Sequence, residues 1–169
     1  MSHLNTESVI GVIGAGTMGA GIAQVAAKAG HPVLLFDAMD GAAQRGLDGI
    51  AKGLSRLVTK GKMSQDDVDA LTGRIQVINS LQDMAPAALV VEAIVERLDI
   101  KQQVFGDLEE ICGENTILAS NTSSISLTAI GAKLKRPQNL VGMHFFNPAP
   151  IMKLVEVISG LDTDPAVAD

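Results

Sequence analysis

The stretch Gly14-Ala15-Gly16-Thr17-Met18-Gly19 constrains this chain more than any other. It follows the apolar run Val9-Ile10-Gly11-Val12-Ile13, which reads as a strand buried on both faces. It opens an alanine-rich helical segment over residues 17–29, with Gly30 just past the helix end. A Gly-x-Gly-x-x-Gly between strand and helix suits one geometry. The first glycine permits a tight turn, the second lets a pyrophosphate approach the backbone, and the third lets the helix pack on the sheet. Free N–H groups at the helix start then face the phosphates. Asp37 lies 18 residues beyond Gly19, at the end of the apolar run Val33–Phe36. A carboxylate there accepts hydrogen bonds from ribose hydroxyls and repels a 2′-phosphate, so the pattern predicts NAD rather than NADP. The plain alternative is a glycine-rich turn with Asp37 as an ordinary surface residue.

Beyond the motif, short β-branched runs alternate with helical periods. Strands are predicted at residues 75–78, 89–93, 116–119, 141–144 and 153–158, and helices at 41–58, 64–73 (Ser64 as N-cap) and 100–111. This alternation predicts an α/β chain: a Rossmann-type, doubly wound, mostly parallel sheet with helices on both faces.

Composition excludes several function classes. The longest apolar stretch, residues 87–95, is interrupted by Glu92 and is too short to span a membrane. A single cysteine, Cys112, rules out an internal disulfide and a thiolate metal site, and metal binding has no support. The net charge of −6, with no Trp or Tyr, argues against nucleic-acid binding. With no secretory pattern at the N-terminus, a cytoplasmic protein is expected. The sequence Asp162-Thr163-Asp164-Pro165 is a helix-start signal four residues before the end of the chain. Residues 1–169 are accordingly expected to be one domain, truncated where a helix begins.

Three polar groupings are candidates for chemistry. His144 closes a predicted strand, where an imidazole could take a hydroxyl proton. Glu156 is the only carboxylate between His144 and Asp162, and could stabilise the imidazolium. The bland reading is a satisfied strand-end histidine and a surface glutamate. Ser120-Asn121-Thr122-Ser123-Ser124 follows another strand; one hydroxyl is expected to cap a helix over residues 125–130 and another to meet substrate. Lys52, Arg56 and Lys60 recur every four residues on one helical face, within a 41–62 segment carrying a local charge of +4. Such a stripe is either merely solvated or suited to a phosphate-bearing ligand. Glu92 could be buried or at an edge; His31 and His3 read as loop and tail residues.

The stretches 12–19, 91–96, 119–124, 144–148 and 152–157 together resemble the N-terminal NAD-binding domain of the 3-hydroxyacyl-CoA dehydrogenases, over nearly the whole chain. The resemblance implies NAD-dependent oxidation of (S)-3-hydroxyacyl-CoA to 3-oxoacyl-CoA. It implies His144 as base with Glu156 as partner, and Ser123 and Asn147 between substrate oxygen and nicotinamide. Met18, Asp37, Ile94, Val95, Glu96 and Lys101 match NAD-contacting positions, and Lys60 matches a lysine meeting CoA. Gly53 stands where some relatives carry a serine near CoA. It further implies a helical C-terminal domain, absent here, that forms a homodimer. Two other readings remain: a related NAD-dependent hydroxy-acid dehydrogenase, or a cofactor-binding module without turnover.

Overall fold

Successive strand residues feed two separate cores, which makes this sheet two-sided. Val12, Leu35, Val91, Ala119 and Val141 pack with Ile22, Ala23 and Ala27 on one face. Ile13, Leu34, Val90, Leu118 and Leu140 pack with Phe105, Leu108 and Ile130 on the other. Side chains alternate across a strand, so a strand buried on both faces must be apolar throughout. The computed structural model describes residues 4–169; His3 lies outside them.

The strands are β1 (Ile10–Ile13), β2 (Val33–Phe36), β3 (Ile75–Val77), β4 (Leu89–Glu92), β5 (Ile117–Ser120), β6 (Leu140–Phe145) and β7 (Val155–Ser159). The helices are α1 (Thr17–Lys28), α2 (Ala42–Thr59), α3 (Gln65–Thr72), α4 (Leu98–Ile111), α5 (Leu127–Gly131) and α6 (Pro165–Ala168). Among the described residues one sheet runs β3-β2-β1-β4-β5-β6-β7. The first six strands are mutually parallel and β7 is antiparallel to β6. The chain leaves β1 in one direction toward β2 and β3, and in the other toward β4, β5 and β6. A ligand crevice therefore opens between the carboxyl ends of β1 and β4.

Local chemistry accounts for the element ends. Gly30 takes φ +105°, which only glycine adopts cheaply, and lets the chain turn from α1 into β2. Ser64 caps α3 by accepting from the Asp67 N–H, and Asp164 caps α6 with Pro165 following, as the helix-start pattern predicts. One expectation needs correcting. The cap of α5 is Ser126, which accepts from the Ala129 N–H, not a hydroxyl of the 120–124 cluster. In that cluster Thr122 accepts instead from the Ile125 N–H at 3.0 Å, shaping the loop before the helix.

The third glycine of the motif has no room for a side chain. A Cβ at Gly19 would sit 1.7 Å from the Gly14 carbonyl oxygen, whereas one at Gly106 in α4 would meet nothing within 4 Å. Gly19→Ala is expected to lower the unfolding free energy by about 1–3 kcal/mol or more through overpacking. Gly106→Ala is expected to raise it by roughly 0.8–1 kcal/mol. Denaturant midpoints of the two variants check both signs.

Candidate active site

The crevice has two halves. At the β1 end, Gly14 adopts φ +92°, and its turn lies so close to the Ala93 carbonyl that a Cβ would be 2.5 Å from that oxygen. A Cβ on Gly16 would meet only open space, on the wall of a cleft of about 490 Å³ lined by Ala15, Thr17, Asp37 and Arg45. Helix α1 begins after Gly16 with no side-chain cap and no acidic residue in its first turn. Its leading N–H groups and positive dipole end are thus left for an anion. Asp37 accepts from the Ala15 N–H at 2.7 Å and the Met39 N–H at 2.9 Å. It fixes the glycine loop and also lines the cleft. These features fit a dinucleotide with ribose hydroxyls at Asp37.

The other half is a pocket of about 320 Å³ lined by Met18, Ile94, Glu96, Lys101, Asn121, Ser123, His144 and Asn147, among others. His144 and Glu156 are direct partners across β6 and β7, so the sheet register alone aims both side chains the same way. His144 Nδ1 lies 2.8 Å from Glu156 Oε2. The carboxylate only accepts, so Nδ1 carries the proton and Nε2 is left free to take one. The Phe146 ring lies against the imidazole, with centroids 4.8 Å apart. Asn121 Oδ1 accepts from the Phe145 N–H at 2.9 Å, tying the loop after β5 to the strand that carries His144.

Behind this pocket, Glu92 is fully buried at the end of β4. It accepts from Lys101 Nζ at 2.6 Å, the Ser120 hydroxyl at 2.7 Å and the Ile94 N–H at 2.7 Å. Lys101, 1% exposed, also reaches Glu96 at 3.2 Å. Glu96 in turn accepts from the Thr122 hydroxyl at 2.9 Å and the Ser123 N–H at 2.8 Å. Burial pushes the Glu96 carboxyl up, but the Ser123 N–H, the Thr122 hydroxyl and the Lys101 ammonium outweigh it. The group is held below the ordinary value of 4.5.

Most expected site residues converge here, with two departures, Val95 and the basic stripe of α2. Val95 is 58% exposed and does not line the pocket. Lys101 does line the pocket, with both carboxylates held on its ammonium. Lys52, Arg56 and Lys60 are all exposed, and neighbouring α2 residues Gly53, Leu54 and Leu57 line a separate groove of about 600 Å³ against residues 148–153. The structure adds Glu92 and Asn121. A lone carboxylate at the end of an apolar strand, with a lysine in the first turn of the next helix, is the signal that pairs Glu92 with Lys101. Asn121 carried no signal beyond its polar neighbours. Cys112 is buried, and its thiol is pushed up by that burial. Among the described residues no group of His, Cys, Asp and Glu could hold a metal, and no helix is long and apolar enough to cross a membrane.

A family model described as 3-hydroxyacyl-CoA dehydrogenase, NAD binding domain, matches residues 9–169. The chain belongs to this family. It is 48% identical over 166 residues to the 3-hydroxyadipyl-CoA dehydrogenase of Escherichia coli K12, covering 98% of this chain and 35% of that protein. It is 47% identical over 157 residues to a probable 3-hydroxybutyryl-CoA dehydrogenase of Bacillus subtilis, covering 93% of this chain and 55% of that one. A solved structure of 3-hydroxybutyryl-CoA dehydrogenase from Escherichia coli superposes with TM-score 0.93 at 49% identity, over 98% of this chain and 35% of its own. The chain thus spans between about a third and about half of these relatives' length. NAD is the cofactor the family's domain is described as binding, and the uncapped glycine turn fits it.

Because folding depresses the Glu96 carboxyl, its contribution to stability is fully present above the ordinary value of 4.5 and is lost as pH falls through the lower folded value. At neutral pH Glu96→Gln is expected to melt below wild type. The gap in Tm is expected to narrow progressively as pH falls below 4.5; a gap that stays constant under acidification would contradict it.

Proposed function

We propose that the whole protein carries out reversible NAD-dependent oxidation of (S)-3-hydroxyacyl-CoA to 3-oxoacyl-CoA, with His144 as general base. The observation that carries this reading is the His144–Glu156 hydrogen bond of 2.8 Å at the mouth of the pocket beside the glycine turn. Bound at Gly14, Gly16, Thr17, Met18, Gly19 and Asp37, with its reactive end toward Ile94 and Glu96, NAD would supply a hydride acceptor. His144 Nε2 removes the proton of the substrate 3-hydroxyl. Glu156 holds the ring in the Nδ1–H tautomer and stabilises the imidazolium that forms. Ser123 and Asn147 orient the reacting oxygen, a positioning role. In the reverse direction the same imidazolium returns its proton to the oxygen.

The groove of about 600 Å³ between α1, α2 and residues 148–155 suits an elongated, largely apolar acyl chain and its carrier arm. Lys52, Arg56 and Lys60 on the exposed side of α2 would meet the phosphates of CoA. Nothing replaces the serine of some relatives at Gly53, where a Cβ would touch nothing within 4 Å. A cytoplasmic location fits the single cysteine. The relatives carry further sequence beyond the matched stretch, which leaves room for the helical domain and homodimer that the resemblance implies.

The deciding assay is NADH oxidation with acetoacetyl-CoA by the whole protein. His144→Ala is expected to lower kcat by roughly 10²–10⁴-fold with little change in NAD affinity. Full turnover in that variant would remove His144 from the base role. Asp37→Ala is expected to shift the ratio of kcat/KM for NADP over NAD upward by roughly tenfold, because a like charge facing the 2′-phosphate is gone. An unchanged ratio would leave Asp37 only its part in holding the loop.

A further inference from the structure

Five residues at the back wall of the pocket close on themselves, four links running through side chains and one through the Thr122 backbone N–H. Glu92 accepts from Ser120, whose oxygen accepts from the Thr122 N–H at 3.2 Å. Thr122 donates its hydroxyl to Glu96, and Lys101 bridges Glu96 back to Glu92. The ring joins the end of β4, the first turn of α4 and the loop after β5. No buried side-chain polar atom among the described residues lacks a partner.

The ring holds two carboxyl groups against one ammonium. Glu92 accepts from three donors and Glu96 from Thr122 and Ser123, so by composition the acids outnumber the single Lys101 cation by one. The nearby Arg97 is exposed and engaged with Asp99 at 2.5 Å, so it does not cancel this excess. Across the pocket, Glu156 is taken up by His144. Glu96 lines the same pocket as His144, whereas Glu92 is sealed from it.

We infer that this Glu92–Lys101–Glu96 ring is a fixed negative charge that discriminates the redox state of the cofactor, favouring the oxidised over the reduced form. The inference rests on the proposed placement of the nicotinamide beside Glu96 and His144. The oxidised nicotinamide ring carries a positive charge and the dihydronicotinamide is neutral, while the rest of the dinucleotide is identical. A partly buried charge held by hydrogen bonds acts on that difference with less screening by salt than a fully exposed one. Lys101 and Glu92 are then positioning residues: they hold Glu96 ionised and aimed into the pocket without touching the ligand's reactive atoms.

The test is equilibrium binding to the whole protein, with no turnover involved. The Kd of NADH is read by its fluorescence and that of NAD by calorimetry, and their ratio is compared between variants. Glu96→Gln is expected to weaken NAD relative to NADH by about tenfold or more, since at an effective dielectric of about 20 a unit charge still contributes about 1.4 kcal/mol at roughly 12 Å. Glu92→Gln, which cannot contact the cofactor, is expected to move the ratio the same way by roughly two- to fivefold. A shift in both variants supports charge over contact. Wild-type ratios in both, with both cofactor forms still bound, overturn the inference and leave the proposed function standing. If the wild-type protein binds neither form, the proposed function falls and this inference with it. Should Glu92→Gln fail to give a cooperative melt, the part-exposed Glu96→Gln decides alone.

Discussion

A carboxylate sealed at the carboxyl end of the central strand has to be matched by a cation and by hydrogen bonds, and the rest of this site is arranged around that necessity. Glu92 is paired in register with Ile13 of β1 on one side and Ser120 of β5 on the other. The same level of the sheet therefore holds the root of the glycine turn, the buried charge and the start of the Ser123 loop. Lys101 reaches Glu92 because α4 begins six residues after β4 ends and turns its first basic side chain inward. Removing one member of such a buried pair costs about 3–5 kcal/mol, although the intact pair contributes little net stability over an apolar replacement. What the pair contributes is geometry. It fixes Glu96, and Glu96 fixes the backbone of Ser123.

The two halves of the crevice rely on different parts of the chain. Around the glycine turn the interactions on offer are backbone N–H groups, and side chains are excluded by contact, as at Gly19, or left out, as at Gly16. Toward β5, β6 and β7 side chains take over, and each is held by a second group: His144 by Glu156, the loop of Asn121 by Phe145, Ser123 by Glu96. Phosphates carry fixed charge and need only a field and donors, which a helix start provides. A proton transfer needs one atom in one place, so the imidazole sits on a strand whose pairing leaves it little freedom.

How much of this was legible in the sequence follows from the range of each interaction. The sheet was readable because a strand buried on both faces must be apolar at every position, and only β7, exposed along most of its length, showed its pairing partner weakly. The glycine motif was readable because its physics is local to a single turn. His144 and Glu156 could be paired because no other carboxylate lay nearby in the sequence, but their 2.8 Å contact is set by cross-strand register. The ring was not legible. It joins residues 92, 96, 101, 120 and 122 from three elements, and nothing in a run of residues says that β4 and β5 end at the same level. The cap of α5 was misplaced for a related reason. A cluster of hydroxyls offers several possible caps, and Thr122 was already committed to Glu96 and the Ile125 N–H.

Asp37 and Glu96 show the same economy at opposite ends of the crevice. Each carboxylate accepts from backbone N–H groups of the loop it borders, Ala15 and Met39 for Asp37 and Ser123 for Glu96, and each still faces the cleft. A carboxylate used only to recognise a ligand would have to be desolvated when the ligand arrives. Here much of that cost is met on folding, by donors that also order the loops. The site is thereby charged and shaped before anything binds. The two negative ends differ in one respect: Asp37 is open to a ribose, whereas Glu96 is backed by a buried cation that limits how far its carboxylate can move. Under the proposed function, that difference suits recognition of hydroxyl groups at one end and control of a reacting centre at the other.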